Sequence, residues 1–310
     1  MKLLARWLAR WRPERPRCVV AAGAQLGENP RWSARHQRLY WIDMAAGAVH
    51  FHEPASGRNH SAIIAAEVGA LVQKQSGGLL VGLDDALWEL SPELVLGRRW
   101  ATVAGLDRQC RWNDAAVDAT DRIWLASMHR DGSEDRGGLC RVDADGRATW
   151  VDHGYRIANG PAIDPGGRVL YVADSPRRVI HRLTLDDCGN RLGKEVFVRF
   201  AESDGYPDGM ALAPDSSLWV AHYDGGRVSR FTPDGRPGGS LRLPVSKPTA
   251  CAFGGEALAT LFITSASQGL DTRDRRREPL AGGLFAFAPM KVAPATQEPP
   301  LARLREKGRG

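Results

Sequence analysis

The chain has 310 residues, 43% of them hydrophobic, and a formal net charge of +6 at neutral pH. Length and apolar content suit a globular protein with a sizeable core, in one domain or two. The positive excess gathers in "MKLLARWLARWRPERPR", "DTRDRRREP" and "LARLREKGRG", with no basic stripe interleaved with aromatics, which argues against a nucleic-acid partner.

Residues 1–17 read as a basic N-terminal extension. Arginines interrupt its apolar residues, so it lacks the continuous run of a secretory signal or a membrane span. Leu3, Leu4, Trp7, Leu8 and Trp11 share one helical face beside Arg6 and Arg10, as in an interfacial helix. The segment is short and uncapped, however, and a loosely attached extension without membrane contact is the expectation. The five cysteines, Cys18, Cys110, Cys140, Cys188 and Cys251, are scattered without a Cys-x-x-Cys pair. That usage points to reduced thiols in a cytoplasmic protein rather than a disulfide framework or a zinc-thiolate site.

From residue 18 onward one pattern recurs, a turn rich in Asp, Gly or Ser followed by an aromatic or Leu in a β-favouring run. It appears as "RHQRLYWIDM", "QSGGLLVGL", "ATDRIWLASM", "PGGRVLYVADS", "PDSSLWVAHY" and "ALATLFITSA", centred on Tyr40, Leu80, Trp124, Tyr171, Trp219 and Phe262. The spacings of 40, 44, 47, 48 and 43 residues match the four-strand period of a propeller blade. In the fifth repeat "GMALA", "SLWVAHY", "GRVSRFTP" and "GSLRLP" supply the four strands, separated by turn residues. The sequence thus predicts an all-β fold, a six-bladed β-propeller with four antiparallel strands per blade, over residues 18–290. The last repeat is one strand short, and "CVVAAGAQ" is predicted to complete it as the outermost strand, removing an open edge. Residues 291–310, with "APATQEPP", are expected to form a disordered tail.

In a propeller the first strand of each blade lines the central channel. Glu28 in "LGENPRW", Asn113 in "CRWNDAAVD", Asn159 in "IANGPAID" and Asp208 in "YPDGMALA" stand 12, 11, 12 and 11 residues ahead of their markers, at one equivalent position just before that strand. Repeats two and six, "EVGALV" and "KPTACA", carry no clear carboxylate or carboxamide there. Taken singly, each residue reads as a turn cap, and Pro-Asp-Gly is ordinary turn chemistry. Glu28 does not fit that reading, because its longer side chain is a poor turn former. Two carboxylates and two carboxamides at one end of a channel make a set of hard oxygen donors for one divalent cation, Ca²⁺, Mg²⁺, Mn²⁺ or Zn²⁺. Without a cation, Glu28 and Asp208 would repel each other and one would tend to protonate.

Several ordered motifs, "LGENPRW…LYWIDM", "RWNDAAVDATDRIWLASM", "NGPAIDPGGRVLYVADS", "YPDGMALAPDSSLWVAHY" and "PTACAFGG", resemble the senescence-marker-protein/gluconolactonase family over residues 18–289. That family includes regucalcin and bacterial sugar lactonases. The resemblance implies one divalent cation in the channel held by Glu28, Asn159 and Asp208. It further implies that Arg111 and Asn113 contact substrate, and that Asp208 is also the general base for water attack on a sugar (aldono-) lactone. Asn29 and Pro161 depart from the family pattern, and the charged loop "MHRDGSEDRGG" lies where relatives place a flap. Arg130 and Asp131 of that loop read as solvated.

Two other functions stay open on these residues. One is hydrolysis of other lactones or of phosphotriesters on the same metal; the other is a non-catalytic calcium-binding regulatory role. Arg111 and Asn113 favour a working pocket, since an ion buffer needs neither. No Gly-x-Ser-x-Gly is present for a serine hydrolase. His50 and His52 in "VHFHEP" fall on a strand far from the channel. Nothing in the sequence signals an oligomeric state.

Overall fold

The computed structural model describes residues 15–288, so most of the basic extension and all of the expected tail, residues 291–310, lie outside the described residues. The first strand, β1 (Arg17–Val20), stands apart from the repeats. Blade one comprises β2 (Gly27–Ser33), β3 (Arg38–Asp43), β4 (Ala48–Glu53) and β5 (Arg58–Ile63). Blade two comprises β6 (Ala70–Gln73), β7 (Leu79–Leu83), β8 (Ala86–Leu90) and β9 (Leu96–Thr102). Blade three follows with β10 (Cys110–Val117), β11 (Ile123–His129), β12 (Gly137–Val142) and β13 (Ala148–Tyr155). Blade four has β14 (Ala158–Ile163), β15 (Val169–Asp174), β16 (Val179–Leu185) and β17 (Arg191–Arg199). Blade five has β18 (Tyr206–Leu212), β19 (Leu218–Tyr223), β20 (Arg227–Phe231) and β21 (Pro237–Arg242). Blade six takes β22 (Pro248–Gly254), β23 (Thr260–Ser265) and β24 (Leu284–Phe287) from the end of the chain.

Every blade is an antiparallel meander, and the six inner strands adjoin one another in sequence order around the axis, β22 returning to β2. This is the six-bladed propeller that the spacing predicts. All six repeat markers lie on the second strand of their blades, and six buried clusters each draw residues from two consecutive blades. Tyr40 therefore packs toward blade two, Trp124 toward blade four and Phe262 toward blade one. Burial of such a side chain contributes about 1.5–3 kcal/mol. The repeat carries an aromatic or Leu because each blade must seal its seam with the next.

The ring closes as the strand count predicts. β1 pairs with β24, Arg17 opposite Ala286 and Cys18 opposite Phe285, and forms the outer edge of blade six. A bridge between Leu26 and Ala266 then leads the chain into blade one. All five cysteines are free. Among the described residues no helix is long and apolar enough to cross a membrane.

Five of the six inner strands carry a bulge where they pair with their second strands, between Glu28 and Arg31, Trp112 and Asp114, Asn159 and Ala162, Pro207 and Met210, and Pro248 and Cys251. A bulge leaves residues unpaired and re-aims their side chains. β6 alone pairs without interruption. Just before it stands Gly69, where a Cβ would sit 2.8 Å from both the Cβ and the carbonyl oxygen of Trp112. Gly69→Ala should therefore overpack the seam and cost roughly 1–3 kcal/mol in urea denaturation. Gly193→Ala, which meets no atom within 4 Å, should stay within about 0.5 kcal/mol.

Candidate functional site

The register fixes which inner-strand residues are equivalent. Arg31, Val72, Ala116, Ala162, Ala211 and Ala252 each pair with the marker of their own blade. Three positions earlier stand Glu28, Gly69, Asn113, Asn159, Asp208 and Thr249. The four residues singled out from the sequence thus occupy one layer of the channel. They lie within the strands at the bulges, however, and not ahead of them. Pro207, Asp208 and Gly209 belong to β18, so the Pro-Asp-Gly turn expected from composition is a bulge in a strand. Gly209 serves there by its size: a Cβ would come within 2.3 Å of the Ala250 Cβ in the next blade.

All four side chains are buried. The Asn159 carboxamide hydrogen-bonds through Nδ2 to Asp208 Oδ1 and, at 3.4 Å, to Ser175 Oγ. Asn113 Nδ2 donates to the Ala158 carbonyl at 3.1 Å, and its Oδ1 accepts from Arg111 Nη1 at 3.0 Å. Glu28 Oε2 accepts the Asn29 amide at 3.1 Å. Burial first, then repulsion from Asp208 and Asp114, pushes the Glu28 carboxyl well above its ordinary range. Burial and repulsion from Asp114 do the same to Asp208.

The sequence reading missed three neighbours in this layer. Asp114 follows Asn113, and strict alternation would turn it to the other face of the strand. The bulge directly before it breaks that alternation, and Asp114 is buried with its Oδ1 2.8 Å from Arg31 Nη2. Arg31 also donates to the Leu71 carbonyl at 3.1 Å, which ties blades one, two and three together. Asn29, with φ of 49°, places Nδ2 3.2 Å from the Asn113 carbonyl and accepts the Leu71 amide at 3.1 Å. A charged residue inside the apolar run of β10 was the available signal for Asp114. Nothing local announces the other two contacts, which join different blades.

Arg111 stands at the edge of this layer. Its Nη1 also donates to the Trp112 carbonyl at 2.9 Å, and its Nε faces Glu67 at 3.4 Å. Glu67 in turn pairs with Arg130 at 2.7 Å; the charged loop is exposed as expected, and this pair links it to Arg111. Asp131 turns away and bonds His129 and Ser133. A cavity of about 350 Å³ opens here, lined in part by Glu67, Arg111, Arg130 and Trp88, a volume in the range of small-molecule sites. His50 stacks on Trp41 and His52 bonds Asn59, both on β4 and away from the channel layer.

Among the described residues no three His, Cys, Asp or Glu side chains converge closely enough to share a cation. A cation in this layer would need carboxamide oxygens beside Glu28 and Asp208. The chemistry of the layer fits that demand. Two buried carboxylates meet without a salt bridge of their own: Arg31 gives its ion pair to Asp114, and the charges of Arg31 and Arg111 act on Glu28 without pairing with it. Asn159 now turns Nδ2 to Asp208 and accepts the Gly160 amide through Oδ1. A half-turn of its carboxamide exchanges the two atoms, an assignment that only the hydrogen-bond network decides.

Residues 26–267 match the SMP-30/gluconolactonase/LRE-like region. A 6-deoxy-6-sulfogluconolactonase of Pseudomonas putida is 36% identical over 271 residues, covering 87% of this chain and 93% of that protein. A pentonolactonase of Haloferax volcanii is 30% identical, covering 86% and 92%. A solved structure of regucalcin from Agrobacterium tumefaciens, described as a calcium-binding protein, superposes with a TM-score of 0.82 at 24% identity, over 89% of this chain and 93% of that one.

The raised carboxyls set a measurable pH dependence. Folded, cation-free protein holds protons on Glu28 and Asp208 that the unfolded chain releases at ordinary carboxylate values. Above that range the folded state binds more protons, so stability falls as pH rises. Asp208→Asn removes one such group. In chelator, its Tm should gain on the wild type as pH rises from about 5 to about 8; a difference that shrinks would count against this account. The buried His50 and His222, each held down at about 4 mainly by burial, titrate alike in both proteins and cancel.

Proposed function

The chain belongs to the SMP-30/gluconolactonase/LRE-like family, and on that premise we propose that it is a divalent-metal-dependent hydrolase that opens sugar lactones. The observation that carries the reading is the meeting of Glu28 and Asp208, buried and without a salt bridge, in a layer that Arg111 joins to a neighbouring cavity through its bond to Asn113. The names of its relatives, acting on six-carbon and five-carbon aldonolactones, supply the substrate class.

Glu28, Asn159 and Asp208 would hold the cation, with Asn113 in the same layer. A bound cation supplies Lewis-acid polarisation of the lactone carbonyl and stabilises the charge that develops on its oxygen. Asp208 takes the proton of the water that attacks the carbonyl carbon. For that it must be ionised, a form its cation-free surroundings disfavour. The ring C–O bond then breaks, and the leaving oxygen takes a proton as the hydroxy acid forms. Arg111 offers guanidinium donors at the cavity edge, fixed by the Trp112 carbonyl and Asn113. Asn113 is held through Ala158, which leaves it placed to orient a sugar hydroxyl. Trp88, Glu67 and Arg130 line the cavity beside Arg111. A calcium-binding protein without activity would leave Arg111 and the cavity without a role.

Chelation should abolish hydrolysis of an aldonolactone panel, and Ca²⁺, Mg²⁺, Mn²⁺ or Zn²⁺ should restore it. Asp208→Asn should lower kcat by roughly 10²–10⁴-fold; full activity in that variant would sink the assignment. Arg111→Ala should raise KM while cation affinity, read by calorimetry, holds. The opposite split would move Arg111 to the cation.

A further inference from the structure

The peptide carbonyls immediately before the channel residues share a feature that crosses the seams between blades. The Gly27 carbonyl, before Glu28, accepts a hydrogen bond from Thr249 Oγ1 of blade six at 2.5 Å. The Pro207 carbonyl, before Asp208, accepts one from Ser175 Oγ of blade four at 2.7 Å. The Ala158 carbonyl, before Asn159, accepts one from Asn113 of blade three. Each bond therefore runs from one blade to the backbone that carries the next blade's site residue. Thr249, Ser175 and Asn113 are all buried, so water does not compete for these acceptors.

Thr249 holds the sixth place of the channel layer, the one place in which a polar residue has neither a carboxylate nor a carboxamide. Its single hydroxyl proton faces two acceptors, the Gly27 carbonyl, which is the shorter contact, and Thr264 Oγ1 at 2.8 Å; Thr264 Oγ1 donates in turn to the Ala250 carbonyl at 3.3 Å. The Ser175 hydroxyl donates to the Pro207 carbonyl and accepts from Asn159. A ligand or base displaced by about half an ångström loses much of its effect, and these hydroxyls set where the peptides before Glu28 and Asp208 lie.

We propose that Thr249 and Ser175 are positioning residues: each anchors, across a blade seam, the peptide that aims one of the two carboxylates at the cation. The inference rests on the proposed cation site and adds to it two residues outside the ligand set.

Cation affinity, measured by calorimetry with Ca²⁺ and Mn²⁺ on the full chain, tests it without substrate. Thr249→Val keeps the shape and removes the hydroxyl, and Thr249→Ser keeps the hydroxyl. The valine variant should lose roughly 10–100-fold in affinity, the range for groups that orient metal ligands, and the serine variant should stay within about threefold of wild type. Ser175→Ala against Ser175→Thr gives the same comparison at Asp208, and decides alone if Thr249→Val does not fold. A fall in Tm with unchanged cation affinity would make these hydroxyls seam contacts only and overturn the proposal. Wild-type protein that binds cations but hydrolyses no lactone overturns the proposed function while the affinity comparison stands. Wild-type protein that binds none of the cations overturns both.

Discussion

Six sheets can surround one axis only if their inner strands approach one another more closely than ordinary side chains allow. Gly209 against Ala250, Gly160 against Met210 and Gly69 against Trp112 are places where a Cβ would meet the next inner strand at under 3 Å. The bulges answer the same demand, because a kinked inner strand can bend toward the axis and leave residues unpaired with the second strand. Asn113 and Asp208 lie in the unpaired stretch, and Glu28 and Asn159 are the last paired residues before it. Close packing at the axis therefore produces both the fold and the site.

That geometry has an electrostatic cost. Three carboxylates, Glu28, Asp114 and Asp208, are buried in one layer, and only Asp114 has a salt bridge. Apolar residues in place of the other two would relieve the burial penalty, the pattern of a site where stability is exchanged for the proposed binding. The Arg31–Asp114 pair serves differently. It satisfies its own charges and links three blades, leaving Glu28 and Asp208 without a salt bridge.

The fold was legible in the sequence because each seam needs one large apolar residue at a fixed place, and that need repeats six times. Tyr40, Trp124, Tyr171 and Phe262 could be aligned without knowing any contact. β1 was legible by subtraction, as the last repeat lacked a strand. The channel layer could be found for the same reason, since Glu28 and Asp208 keep a constant distance from their markers. Their exact setting could not, because a bulge changes which side of a strand a residue faces without changing the residue count. Asp114 was lost to that rule. Asn29, Thr249 and Ser175 were lost because their partners lie in other blades, up to 222 positions away for Thr249 and Gly27. Arg130 is exposed as expected, and its pairing with Glu67 was not legible because that partner sits 63 positions earlier.

The pairing of Arg17 with Ala286 brings the two ends of the propeller onto neighbouring strands at the outer edge of one blade. In connectivity the ring is thus close to a closed loop that happens to be cut inside blade six. A short linker joining those strands would let the chain be reopened at an exposed turn such as residues 54–57 without altering any blade. Such circular permutants would separate two things the natural chain combines: the mechanical clasp that holds the ring shut, and the order in which the blades leave the ribosome.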